Sequence, residues 1–209
     1  MNDVLPESPA RPRLVLASGS PRRRALLEDA GFDFIVHPAD IDEENFPPDL
    51  LPSELASRLA DEKARAVASL FPDDVVLAAD TVVAFGDVIL NKPRDADHAR
   101  WMLALLAGTT HVVITGVAVV QQARDVRKLA RAMSAVRMKP LSQKQIDSYV
   151  TSNLWQGKAG GYGIQDESGK SDPFVTRLSG DLTNIVGLPM KLTTRMLMEV
   201  GVKAMDRDG

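Results

Sequence analysis

The chain has no cysteine, which excludes a disulfide framework, a thiolate zinc cage and thiol nucleophile chemistry together. Histidine occurs only at His37, His98 and His111, too far apart for a local metal motif, so any Ser-His-Asp arrangement must draw on one of these. Apolar runs such as Val75–Ala79 fall far short of the roughly 20 residues of a membrane-spanning helix. The opening MNDVLPESPARP carries acids and three prolines where a secretory signal needs a basic start and an apolar middle, and it reads as a loose tail on a cytoplasmic protein. Neither sign of charge prevails: 25 basic residues stand against 28 acidic, a net −3 that gives no global attraction to nucleic acid or to an anionic membrane. Any anion site must therefore be local.

What is present is an ordinary globular composition, 44% apolar and 25% charged over 209 residues. A chain of that length hides roughly 70% of its unfolded surface, enough for a core without staples. The expected organisation is a tail over 1–12, one two-lobed domain over 13–201 and a tail over 202–209. Arg13–Ser18 reads as a strand that halts at Gly19, and Ser20-Pro21 supplies an N-cap and a first-turn proline for a helix over Arg22–Ala30. That helix turns Ala25, Leu26 and Leu27 to the core and stops at Gly31. A short strand at Phe32–Val36 and an acidic, proline-bearing connector lead to a long helix over Ser53–Leu70. Val75–Ala79 is a strand covered on both faces that ends on Asp80. Val82–Phe85 and Val88–Leu90 flank a Gly86-Asp87 hairpin turn. Asp95 caps a helix closed by Gly108, and His111–Val120 and Val126–Met138 are long strands. Ser142 and Gln145 form a capping box for Gln143–Val150, and after a glycine-rich stretch come a strand near Phe174–Leu178 and a last helix from Pro189. Strands alternating with helices, with hairpins between, imply α/β with a mixed sheet.

Four groupings carry chemistry. Ser18-Gly19-Ser20-Pro21-Arg22-Arg23-Arg24 is a strand-to-helix turn whose free N–H groups favour an anion. Arginines at a helix N-terminus meet the unfavourable end of the dipole, a penalty that a bound phosphate reverses. Successive helical side chains fan out, so at most two of the three arginines address one ligand. Asp80, at a strand end with Thr81 behind it, suits a metal ligand, a proton acceptor or a plain turn former, and position alone leaves these open. Asp42, Glu43 and Glu44 form a second acidic cluster. Lys92 in Asn91-Lys92-Pro93-Arg94 and Lys63 on the long helix offer point charges to polyphosphate oxygens. Finally, Trp155–Gln165 holds four glycines, two aromatics, Lys158 and Gln165, a composition that suits close backbone approach to a ligand and an amide that reads a base edge.

In order along the chain, LASGSPRR (Leu16–Arg23), Ile41-Asp42-Glu43, LADEKA (Leu59–Ala64), AADTVV (Ala78–Val83), NKPRD (Asn91–Asp95), GKAGGYGIQ (Gly157–Gln165) and NIVGLP (Asn184–Pro189) resemble the signature blocks of the Maf family of nucleoside triphosphate pyrophosphatases. The resemblance implies a mixed twisted sheet with flanking helices, in two lobes around a central cleft, similar to inosine triphosphate pyrophosphatases. It implies hydrolysis of a nucleoside triphosphate to the monophosphate and pyrophosphate with Mg²⁺ or Mn²⁺, and a homodimer that engages neither nucleic acid nor membrane. Carried across, Asp80 is the general base, and Glu43 and Asp80 hold the metal. Ser18, Arg22, Arg23, Lys63, Thr81, Lys92, Lys158 and Gln165 contact the substrate. GKAGGYGIQ is similar to the branch acting on dTTP and UTP rather than on 7-methylguanosine triphosphate. Two segments depart from that branch, Leu154–Gly157 and the longer, more polar Asp166–Asp172, and both adjoin the expected base pocket. The competing readings are a nucleotide sensor linked to division arrest, with no turnover, and a nucleic-acid binder using Arg22–Arg24.

Overall fold

The computed structural model describes residues 12–43, 46–47, 49–167 and 174–205. A seven-stranded mixed sheet runs in the order β2 (Ile35–Val36), β1 (Leu14–Leu16), β3 (Val75–Phe85), β5 (Thr110–Gln121), β6 (Val126–Met138), β7 (Val175–Arg177), with β4 (Val88–Leu90) also paired to β3. The β1–β2 and β1–β3 pairs are parallel and the rest antiparallel. Helices α1 (Pro21–Asp29), α2 (Pro52–Ala68), α3 (Ala96–Leu106), α4 (Gln143–Thr151), α5 (Leu182–Val186) and α6 (Met190–Glu199) flank it. The architecture is thus the mixed α/β sheet with flanking helices expected from the sequence.

Asp80 does not end its strand. β3 continues through it to Phe85, because β5 offers antiparallel partners without a break, from Val76 opposite Val120 to Ala84 opposite Val112. What ends near Asp80 is the other neighbour. On that edge β1 pairs only with Val75–Leu77 and β4 only with Val83–Phe85, so 78–82 lie open between two short strands. The carboxyl end of β1 borders this gap, the position where ligands gather in open α/β sheets.

Alternation along β3 sends successive side chains to opposite faces. Val76 and Ala78 pack with Ala60 and Ala64 of α2, and Val82 and Ala84 with Leu55 and Leu59, whereas Leu77 and Ala79 face Leu27 and Leu197. A separate core gathers Leu90, Leu103, Met138, Tyr149 and Trp155. In α1 only Leu27 is fully buried; Leu26 is half-buried and Ala25, expected inward, is exposed, because the helix touches the body along one narrow stripe. The capping box of α4 and the Asp95 cap of α3 form as expected. Short α5 lies in a segment where no helical period stands out, and the sequence reading passes over it. At the chain's end, Met205 N–H donates to Gly31 O at 2.8 Å.

Gly116, opposite Asp80 in β5, lies directly under α2: a Cβ there would come 2.2 Å from Ala56 O and 2.7 Å from Ser57 N. Both neighbours are backbone and cannot rotate away. Gly116→Ala should therefore destabilise the fold by about 2 kcal/mol or more, at the upper end of overpacking costs, read as a lowered urea midpoint at unchanged slope.

Candidate active site

The cleft opens where β3 is bare. Its two halves share Ser20, Arg22, Arg23, Lys92 and Gly157. One half continues to Ser18, Glu43 and Lys63, the other to Asp80, Thr81, Lys158, Tyr162, Ile164 and Gln165. Every residue singled out for a site role lines it, and Arg22 and Asp80 share one cavity.

At the β1–α1 turn, Ser20 occupies the N-cap position but its hydroxyl caps nothing, and the first turn carries no acid. The helix end therefore keeps its anion preference. Arg24 turns away to an exposed pair with Glu28 at 2.7 Å, leaving Arg22 and Arg23 for the cleft. Arg23 donates to Gly187 O at 2.8 Å, Ser18 Oγ at 3.1 Å and Thr81 Oγ1 at 3.2 Å, and Arg22 to Gly157 O at 3.1 Å. All four acceptors are neutral, and among the described residues neither arginine has a carboxylate within ion-pair distance. Burial lowers the pKa of both guanidinium groups, opposed by the more distant carboxylates Asp166 for Arg22 and Asp80 for Arg23. Half-buried cations without a counter-ion are an anion site held ready.

The hydroxyl directions beneath Arg23 are determined. Thr115 Oγ1 donates to Asn184 O at 3.1 Å, so in the 2.9 Å contact between Thr81 and Thr115 the Thr81 hydroxyl is the donor, and it accepts from Arg23. Asn184, fully buried, donates in turn to Val113 O and Ser134 Oγ. Sequence reasoning missed Thr115 and Asn184; the NIVGLP block contained Asn184 but gave no sign of a partner some seventy residues earlier.

On the opposite face of β3, Asp80 Oδ1 lies 2.5 Å from Lys63 Nζ, and both side chains are buried. The same ammonium is 2.9 Å from Glu43 Oε1, and Lys92 reaches Glu43 Oε2 at 2.6 Å. Burial works to raise the Glu43 carboxyl, but Lys92 and Lys63 outweigh it and hold it at about 2. Lys63 is thus paired with two carboxylates. Asp42 is exposed at this rim and Glu44 lies outside the described residues. No group of three or more His, Cys, Asp and Glu side chains arranged to hold a metal occurs among the described residues. Glu43 and Asp80 converge on the Lys63 ammonium, and what fits a hard divalent cation is their donor chemistry, carboxylate oxygens of the kind Mg²⁺ takes together with phosphate and water oxygens.

The glycine-rich segment closes the cleft. Trp155 is buried and donates to Val150 O at 3.0 Å, so this departure from the branch pattern anchors the loop instead of facing a base. Lys158 pairs with Asp166, which also accepts from Tyr149 OH at 2.5 Å, and Gln165 is exposed on the lining. Of the second departure, 168–172 lie outside the described residues. Tyr162 OH meets His111 Nε2 at 2.6 Å inside the core.

A profile of the Maf-like protein family matches residues 13–200. The dTTP/UTP pyrophosphatase of Symbiobacterium thermophilum is 43% identical over 189 residues, 90% of this chain and 94% of that protein. The dTTP/UTP pyrophosphatase of Salinibacter ruber is 48% identical over 186 residues, 88% and 89% of the two chains. Among solved structures, a dITP/XTP pyrophosphatase of Mycobacterium abscessus superposes at a TM-score of 0.45 with 15% identity, covering 90% of this chain and 98% of that one.

Burial lowers His111 to about 4 and raises the Tyr162 phenol above its ordinary range. Between pH 6.5 and 4 the unfolded chain therefore binds a proton at His111 that the folded chain refuses, so stability is lost as the pH drops through this window, by about 3 kcal/mol in total. The slope of unfolding free energy against pH should shrink by about one proton in His111→Gln, measured by urea denaturation at several pH values.

Proposed function

The chain belongs to the Maf family, and from that we propose that it hydrolyses nucleoside triphosphates, UTP and dTTP foremost, to the monophosphate and pyrophosphate. The observation that carries this reading is the pair of uncompensated guanidinium groups of Arg22 and Arg23 in the same cavity as the Asp80 carboxylate. The relatives named dTTP/UTP pyrophosphatase, aligned over about nine-tenths of the chain, support the substrate class.

In this reading the triphosphate lies along the β1–α1 turn. Arg23 is preset by Ser18, Thr81 and Gly187 O, so it meets phosphate oxygens without reorganising. Arg22 and Lys92 neutralise further charge. Lys63 holds Asp80 by Oδ1, and Oδ2 takes no hydrogen bond from the described residues, leaving a lone pair to receive a proton. The attacking water gives that proton to Asp80 as its oxygen bonds to phosphorus, the α–β bridging P–O bond breaks, and pyrophosphate departs. Glu43 and Asp80 would hold a divalent cation such as Mg²⁺ or Mn²⁺, which supplies Lewis acidity to the phosphates. Lys158 and Gln165 fall to the nucleoside. Among the described residues no helix is long and apolar enough to cross a membrane, and with the acidic balance this supports a cytoplasmic enzyme acting on free nucleotide. The family resemblance supports a homodimer.

Asp80→Asn keeps the shape and removes the base. With UTP and Mg²⁺ it should lose at least about 10²-fold in kcat while retaining the wild-type circular dichroism spectrum. Near wild-type turnover would remove Asp80 from the chemistry. Nucleotide binding by the wild-type protein without pyrophosphate release would favour the sensor reading instead.

A further inference from the structure

The Lys158–Asp166 pair, which lines the same half of the cleft as Arg22, is built beyond what holding a loop requires. Both side chains are about nine-tenths buried, and both line the cavity. Lys158 Nζ reaches both oxygens of Asp166, and Tyr149 OH donates to Oδ2. Tyr149 OH also accepts from Gly163 N–H at 3.3 Å, which ties the carboxylate to the turn above it. A Cβ on Gly163 would stand 2.8 Å from Asp166 Oδ2 and 3.0 Å from Lys158 Nζ, so the glycine lets the backbone lie close to the pair without displacing either side chain. Gln165, next to Asp166, is carried on the same turn.

Hydrogen-bond capacity remains. A carboxylate offers about four lone-pair sites, of which the two Lys158 contacts and Tyr149 take three; an ammonium has three N–H groups, of which Asp166 takes two. One acceptor site and one donor are left on a braced support that lines the cavity. Resting on the function proposed above, we infer that Asp166 and Lys158 read the imide edge of the base: Asp166 accepts N3–H and Lys158 donates to the adjacent carbonyl. Uracil and thymine present this order of donor and acceptor. Cytosine has a lone pair at N3, which would face the Asp166 carboxylate. The charge layout agrees, because the lysine neutralises Asp166 and leaves the uncompensated positive charge at the arginine end for the phosphates.

The test measures pyrophosphate release by the wild-type protein from UTP, CTP and 3-methyluridine triphosphate. A site built around N3–H should lose at least about 10-fold in kcat/KM on 3-methylation and on exchange of UTP for CTP, mainly through KM. Asp166→Asn, which adds a donor able to meet cytosine N3, should cut the UTP:CTP ratio of kcat/KM at least about 10-fold. Where that variant unfolds because Lys158 is left unpaired, the double variant Lys158→Gln/Asp166→Asn keeps a neutral bonded pair and is read by the same ratio. Turnover of 3-methyluridine triphosphate as fast as UTP overturns the inference. So does a ratio unchanged within twofold in the folded variant, which would hand recognition to another group. Failure of the wild-type protein to turn over UTP at all defeats the parent reading, a result distinct from either.

Discussion

The free edge of β3 between β1 and β4 is the constraint from which the cleft follows. A strand neighboured along its full length on both sides has its ladder groups spoken for and its side chains sandwiched by packing. Here β5 pins one edge through nine consecutive residue pairs while the other edge is shared by two three-residue strands that do not meet. The opening is therefore rigid on one side and accessible on the other. Two consecutive residues, Asp80 and Thr81, enter it from opposite faces, one toward Lys63 on α2 and one toward Arg23 on α1.

Charge is distributed unevenly along the cleft. Five cations, Arg22, Arg23, Lys63, Lys92 and Lys158, stand with three carboxylates, Glu43, Asp80 and Asp166. The lysines and the acids neutralise one another in short contacts, and the excess falls on the two arginines, whose partners are hydroxyl and carbonyl oxygens. A guanidinium with five donors in a fixed fork and no anion within ion-pair distance favours an anionic ligand such as a phosphate group over a neutral one. The excess positive charge of the cleft thus sits on the arginines of the β1–α1 turn, while the Lys158–Asp166 pair is balanced.

Most of the elements were legible because they are written in local signals: Pro21 at the start of α1, the capping box of α4, Gly86-Asp87 between β3 and β4, and Gly31 and Gly108 as stops. The residues that line the cleft were legible through their ordered motifs. What escaped is what depends on distant partners. That β3 runs past Asp80 is decided by β5, some forty residues on, and an isolated aspartate in a strand gives no hint of a lysine waiting on a helix. The inward placement assigned to Ala25 failed because periodicity reports an apolar stripe but not its width. Thr115 and Asn184 were invisible because a buried threonine in a strand and an asparagine in a short helix announce no role until Arg23 is seen leaning on them. Trp155, read as part of a ligand loop, is a structural anchor.

The adjacency of Asp80 and Thr81 on a strand of period two makes the whole catalytic layout a matter of registration. Sliding β3 by a single position against β5 would bring either Thr81 to the ammonium of Lys63 with Val82 at the guanidinium of Arg23, or Ala79 to Lys63 with Asp80 at Arg23, so either slip breaks both contacts at once. Length polymorphism within this strand is thereby forbidden in a way that it is not at the Gly86-Asp87 turn, where an inserted residue leaves both faces in phase. Diversification of this scaffold is channelled to its connecting turns, while the strand serves as the ruler against which every other functional group is measured.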